Sequence, residues 1–273
     1  MSVLHLRQLR PAAQRERGFT LVELMVTVAI ALFLLGGLFT IVQNVRKTSV
    51  NQQLLAQLQD QERFALTVIT DVVQSAGYFP DATAWTPPSS LPLNGPWEAG
   101  QAFFGTHAIA PPGDTLSVRY RTALNDGVIL CDGSTNNAQG QTHAFTNTFT
   151  VVLAAPPAQG GLYCQVDNLA AAAAAPGVLI APGVQSLKIY YGVKRNFTFT
   201  DYNVDTYLTA DQMCSAITNP CGTDDWSNIS AVRVVLTFSN PLCPPAGACQ
   251  PGQQPTIVFE RVIQVMGRGG VHT

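Results

Sequence analysis

One carboxylate interrupts a long apolar run. From Phe19 to Val42 the chain has no Lys, Arg, Asp or Pro, and Glu23 is the one charged residue. A carboxylate inside lipid costs about 2.5–3.5 kcal/mol even on lenient insertion scales, so it calls for a cation nearby. The run has none of its own. A free α-amino group would serve. It arises if the peptide bond between Gly18 and Phe19 is cut and the Phe19 amine of one copy is offered to Glu23 of the next. The chemistry open to this carboxylate is ion pairing with such an amine.

The other reactive residue types read as structural. Six cysteines allow fifteen pairings. Cys243 and Cys249, and Cys214 and Cys221, enclose short turn-rich segments suited to local bridges, which leaves Cys131 for Cys164 on either side of Phe145–Leu153. Zinc would want Cys-x-x-Cys pairs or nearby His, and His107 and His143 lie in no such spacing. Asp201, Asn203 and Asp205 match the start of a calcium loop, but Thr206 stands where Gly is required and Gln212 where Glu is required. That segment reads as a solvated turn. Asn196 and Asn228 open formal glycosylation sequons of a kind that chance produces. Hydrolase, zinc-protease, Walker and dinucleotide fingerprints are absent from the sequence, so it predicts no catalytic residue, no cofactor and no metal.

The elements that position Gly18, Phe19 and Glu23 are a basic leader and a helix. At about 1.5 Å per residue, residues 19–42 make a helix of roughly 36 Å, enough to cross a hydrocarbon core of about 30 Å. Before it, Arg7, Arg10, Arg15 and Arg17 stand against Glu16. Positive charge ahead of a span holds the leader in the cytoplasm and sends the remainder outward, where cysteines are oxidised. Removing that local +3 from the formal net charge of −2 leaves −5, which argues against a nucleic-acid partner.

Beyond the span no helix breaker occurs before Gly77, and Leu54, Leu58, Ala65, Ile69, Val72 and Ala76 recur as one apolar stripe. The pattern predicts one continuous helix of almost 60 residues, stopped by Gly77 and Pro80. Residues 80–113, rich in Pro, Gly and Ser, read as a long loop wrapped on the head. Period-two alternation then marks a half-buried strand, with Leu116, Val118 and Tyr120 inward and Ser117, Arg119 and Arg121 outward. Further strands are expected at Gly127–Cys131, Thr148–Leu153, Leu162–Val166, Val178–Ile180, Gln185–Val193 and Ile257–Met266, while Ala170–Ala175 carries no chemistry. A hydrophobic fraction of 47% can fill a core, and a charged fraction of 12% argues against a solvated, disordered chain.

The segment Gly18-Phe19-Thr20-Leu21-Val22-Glu23, behind a basic leader and ahead of an apolar helix, resembles the class III signal of type IV pilins and type II secretion pseudopilins. Three further stretches narrow the resemblance to PilW-type minor pilins: Arg63-Phe64-Ala65 with Ala76-Gly77-Tyr78, Gly183-Val184 leading to Tyr191-Gly192-Val193, and Trp226 ahead of Ala231-Val232-Arg233-Val234. The resemblance implies cleavage by a prepilin peptidase after Gly18, N-methylation of Phe19, and neutralisation of the adjacent subunit's terminus by Glu23. It also implies an α+β, pilin-like fold in which the N-terminal helix packs on an antiparallel β-sheet head with long loops and disulfides. The expected division is a cleaved leader at 1–18, a transmembrane and filament-core helix at 19–43, its amphipathic continuation at 44–78 and a periplasmic head at 79–273. One departure stands out. Major pilins place a proline in the apolar helix, whereas this chain has Thr40 in that region and Gly36-Gly37 before it.

These features predict a structural subunit rather than an enzyme. The leading expectation is a minor pilin that primes type IV pilus assembly, is built into the fibre or its tip complex, and so bears on adhesion and twitching motility. Its partners would be the prepilin peptidase, the major and other minor pilins, the inner-membrane assembly platform and, before assembly, membrane lipid. Two alternatives compete: a minor pseudopilin of a type II secretion system, and a membrane-anchored periplasmic adhesin or enzyme.

Overall fold

The structure, a computed structural model, describes residues 18–136, 143–153, 160–168, 177–195, 203–214, 225–243, 249 and 251–266. The leader, the alanine tract, Asn196, Asp201 and Cys221 lie outside the described residues. The chain divides after Gln53 into two units, and helix α1 (Leu21–Gln74) belongs to both.

In the first unit α1 exposes an apolar surface. Phe33, Leu34, Leu35, Leu38 and Phe39 are all exposed. A helix suits such a stretch because it satisfies every backbone group internally where no water can. Two side chains follow the same rule. The Thr27 hydroxyl donates to the Leu24 carbonyl at 2.9 Å and that of Thr40 to Gly37 at 2.7 Å. The helix is unbroken through Gly36-Gly37. Among the described residues it is the one helix long and apolar enough to cross a membrane.

The second unit begins at Leu54. Leu58, Ala65, Ile69, Val72 and Ala76 are buried, and Leu66 and Val73 widen the predicted stripe, while Leu54 is half-buried and Phe64 exposed. The stop has a particular form. Gly77 takes the left-handed conformation at φ 75°, and its N–H leaves the helix to meet the Arg119 carbonyl at 2.9 Å. Arg121 N–H returns to the Tyr78 carbonyl at 2.8 Å, so the chain leaving the helix pairs at once with the sheet.

The head holds two antiparallel sheets. One runs in the order β1 (Phe103–Thr106), β2 (Thr115–Thr122), β3 (His143–Val152), β4 (Gly161–Asn168), β5 (Val178–Pro182). In the other, β6 (Val184–Val193) lies between β7 (Thr206–Leu208) and β8 (Ile229–Ser239), with β9 (Thr256–Gln264) beyond β8. Alternation explains the faces: Leu187, Ile189, Tyr191 and Val193 of β6 are buried, as are Val232, Val234, Leu236 and Phe238 of β8. Together with the α1 stripe and the inner face of the first sheet they make one core, each large side chain contributing about 1.5–3 kcal/mol of burial. On the outer edge strand β9, Val258 and Val262 are exposed on either side of Glu260, which lies 3.7 Å from Arg233.

Three expectations need correction. Phe103–Thr106 forms a strand inside the stretch that composition marks as loop. Gly127–Cys131 is not a strand. Asp126 Oδ2 accepts the Ala123 N–H and its Oδ1 that of Val128, a side-chain turn that uses the local donors and leaves only an isolated bridge between Ile129 and Thr135. Strand β2 is not half-buried, because Leu116 through Thr122 are all covered on both faces. The cover comes from the wrapped loop and its short helix α2 (Pro87–Ser90). Arg119 Nη2 donates to the Pro92 carbonyl at 3.0 Å, and Arg121 Nε donates to Ser90 at 2.9 Å.

Candidate assembly site and the head that carries it

Gly18 and Phe19 precede α1, and Glu23 lies in its first turn. Thr20 caps the helix: its Oγ1 accepts the Glu23 N–H at 3.3 Å, and its carbonyl accepts that of Leu24 at 3.1 Å. A carboxylate in a first turn faces the positive end of the helix dipole, which favours Glu23 there whatever its partner. The Thr-x-x-Glu spacing is a capping signature legible in the sequence and absent from the reading above. Phe19 and Glu23 are both exposed, and among the described residues Glu23 has no ion-pair partner. Gly18 and Phe19 at the predicted cleavage point and the Glu23 carboxylate are thus exposed together.

Three polar nodes hold the head in shape. The first is Asp114, almost fully buried. Its Oδ1 contacts His107 Nδ1 at 2.9 Å and accepts the Ala108 N–H at 3.0 Å, while its Oδ2 accepts the Ile189 N–H from the other sheet at 2.7 Å. Lys188 Nζ lies 3.7 Å away and donates to the carbonyls of Ala108 and Ile109. His107, considered above only as a metal ligand, serves to brace this turn.

The second node is the covered face of β2. The Arg119 guanidinium lies 4.6 Å from the centre of the Trp97 ring, and that of Arg121 lies 4.0 Å from Trp85. Arg119 is wholly buried, its Nε and Nη1 without a hydrogen-bond partner among the described residues, and burial pushes its pKa down to about 10. The pair of tryptophans clamps the loop to the sheet by cation–π contact.

The third node ties Arg195, just after β6, to Asp205 and Asp225. Arg195 Nε donates to Asp225 Oδ1 at 3.0 Å and its Nη2 to Oδ2, while Asp205 accepts the Arg195 N–H. The hydrogen bond to Asp225 holds the Arg195 pKa above its ordinary value. Asp205, read from sequence as part of a solvated turn, thus has a structural task. Cys131 is bonded to Cys164 and Cys243 to Cys249; Cys214 is also disulfide-bonded, and its expected partner Cys221 lies outside the described residues. Among the described residues no group of three His, Cys, Asp or Glu is placed to hold a metal ion.

A processing motif, a long apolar helix and a disulfide-bonded antiparallel β head together define a type IV pilin-like protein. The matches to family models agree. Residues 13–39 match the prokaryotic N-terminal methylation motif, and residues 141–256 match the family described as Type IV Pilus-assembly protein W. The pilin-like protein PilA3 of Thermus thermophilus is 32% identical over 121 residues, 42% of this chain and 46% of that protein. The chain thus spans about half the length of that curated relative. A type IV-like pilin structure from Thermus thermophilus aligns at 13% identity and a TM-score of 0.39, covering 76% of this chain and 95% of that one. The matches thus mark the chain as type IV pilin-like, with much of its head similar to the PilW family.

Proposed function

We propose that this chain is a minor pilin that primes assembly of a type IV pilus and is itself built into the fibre. The observation that carries the reading is the register of Gly18, Phe19 and Glu23 with the first turn of α1, a helix that exposes an apolar surface. In this reading a prepilin peptidase removes residues 1–18 and Phe19 is N-methylated. Residues 19–43 hold the subunit in the inner membrane until they enter the filament core, and the head from 79 onward faces the periplasm. The major and other minor pilins and the assembly platform are its partners. The match of residues 141–256 favours a pilus subunit over a type II secretion pseudopilin. Its role is architectural, not enzymatic.

Two measurements test the proposal. N-terminal sequencing of membrane-extracted protein is expected to begin at Phe19, and Gly18→Val to leave unprocessed precursor. A deletion strain is expected to lose pili and twitching, restored by the wild-type chain. A start at Met1, or normal piliation without the chain, defeats the proposal.

A further inference from the structure

Outside the assembly site, the outer face of the first sheet carries a groove of about 440 Å3, within the roughly 300–1,000 Å3 usual for small-molecule sites. Asn94 and Trp97 of the wrapped loop form one wall, Thr146 and Thr148 of β3 the floor, and Asp167 and Asn168 of β4 the other wall. No aliphatic side chain lines it. We propose that this groove binds a neutral sugar unit.

The floor is set by strand register. Thr146 stands opposite both Arg119 and Asp167, and Thr148 opposite Ser117 and Gln165, so three strands present one polar patch. The Ser117 and Thr148 hydroxyls share a hydrogen bond of 2.9 Å. Asp167 Oδ1 accepts from Gln165 Nε2 at 3.2 Å, which leaves Oδ2 for an outside donor. The Trp97 wall is fixed in advance by Arg119 beneath it and by Phe104 at 5.5 Å, so little freedom is lost on binding.

Ligand class follows from the donor set. Hydroxyls and carboxamides both donate and accept, and a carboxylate accepts only, which together suit the paired hydroxyl groups of a pyranose. An apolar ligand would find no apolar floor. A hard divalent cation wants six to eight oxygens, commonly with several carboxylates, and the lining holds Asp167 alone. An anionic sugar would meet that same carboxylate. The ligand is therefore neutral.

The test uses the purified full chain in a detergent without a sugar headgroup. The soluble arm titrates methyl glucoside, methyl galactoside and N-acetylglucosamine, with glucuronate as the charged control and EDTA present throughout. The polymer arm measures retention on neutral polysaccharide beads. Saturable binding of a soluble neutral sugar is expected, about tenfold weaker in Asp167→Asn and in Thr146→Val. Retention on beads alone, with the same sensitivity, supports the site and assigns its ligand to a polymer. Asn94→Ala changes an exposed loop side chain and keeps the test decisive if either core variant misfolds. Absence of saturable binding in both arms overturns the inference, as does equal binding by the variants or binding only of glucuronate. The result is independent of the pilus reading, since Asn94→Ala is expected to leave piliation unchanged.

Discussion

The N–H of Gly77 donates to the carbonyl of Arg119 at 2.9 Å, so the residue that stops the long helix is also a rung of the sheet's hydrogen bonding. Its φ of 75° admits an L side chain only with strain, although a Cβ there would meet Ala102 at an ordinary 3.6 Å. Gly77→Ala should therefore destabilise the head through backbone strain alone, by about 1–2 kcal/mol. Thermal unfolding of the full chain, followed by circular dichroism, measures this. An unchanged melting temperature would mean that the junction is free to adjust.

Tyr191 is wholly buried on β6, edge-on to Trp226 at 5.0 Å, and among the described residues its hydroxyl has no hydrogen-bond partner. Removing an unsatisfied buried hydroxyl relieves about 1–3 kcal/mol of desolvation, so Tyr191→Phe is expected to stabilise the head at neutral pH. Denaturant midpoints of the two proteins decide the point.

Alkaline stability gives a separate readout of the same residue. Burial raises the pKa of Tyr191 and of Tyr120 above the ordinary 10.0, so above that pH the unfolded chain sheds protons that the folded chain keeps. Each such tyrosine loses about 1.4 kcal/mol of stability per pH unit. Arg119, pushed down to about 10 by burial, and Arg121, lowered by the same cause, act in the opposite sense: the folded chain releases protons that the unfolded chain holds, and stability rises. The difference between wild type and variant isolates the tyrosine: above pH 10 Tyr191→Phe should lose less stability per pH unit than the wild-type chain.

Cys131–Cys164 spans 33 residues and Cys243–Cys249 spans 6. Loop entropy assigns them about 4 and about 2 kcal/mol. Double replacement of Cys131 and Cys164 by Ala should lower the melting temperature more than the same change at Cys243 and Cys249, compared in one buffer. Equal effects would show that loop length is not what decides the matter.

For assembly, Glu23→Ala keeps the apolar helix and removes the carboxylate. Insertion and cleavage should survive, and the amount of this subunit in sheared pili should fall at equal membrane abundance. Undiminished incorporation would exclude Glu23 as an assembly contact.

Where a single period governs a segment, the sequence is sufficient: Leu187, Ile189, Tyr191 and Val193 alternate, and all four are buried. The α1 stripe was legible for the same reason. The polar face of β2 was misleading because Arg119 and Arg121 look solvated until Trp97 and Trp85, more than twenty residues earlier, are brought over them. Phe103–Thr106 is four residues in a glycine- and proline-rich setting and owes its existence to pairing with β2. Gly18, Phe19 and Glu23 stand out in sequence as a local motif. In the proposed reading the ion pair joins Glu23 of one subunit to Phe19 of another, so one chain alone presents only its two halves.

The outer strand β9 has a consequence for crowding. Subunits held side by side on a membrane would reach a high local concentration, the condition under which a bare strand edge templates uncontrolled stacking. Glu260, set between Val258 and Val262 on the exposed face, puts a charge in the middle of that edge. A second copy docking there in the antiparallel register centred on Glu260 would bring glutamate against glutamate, which disfavours that way of joining two heads into a common sheet.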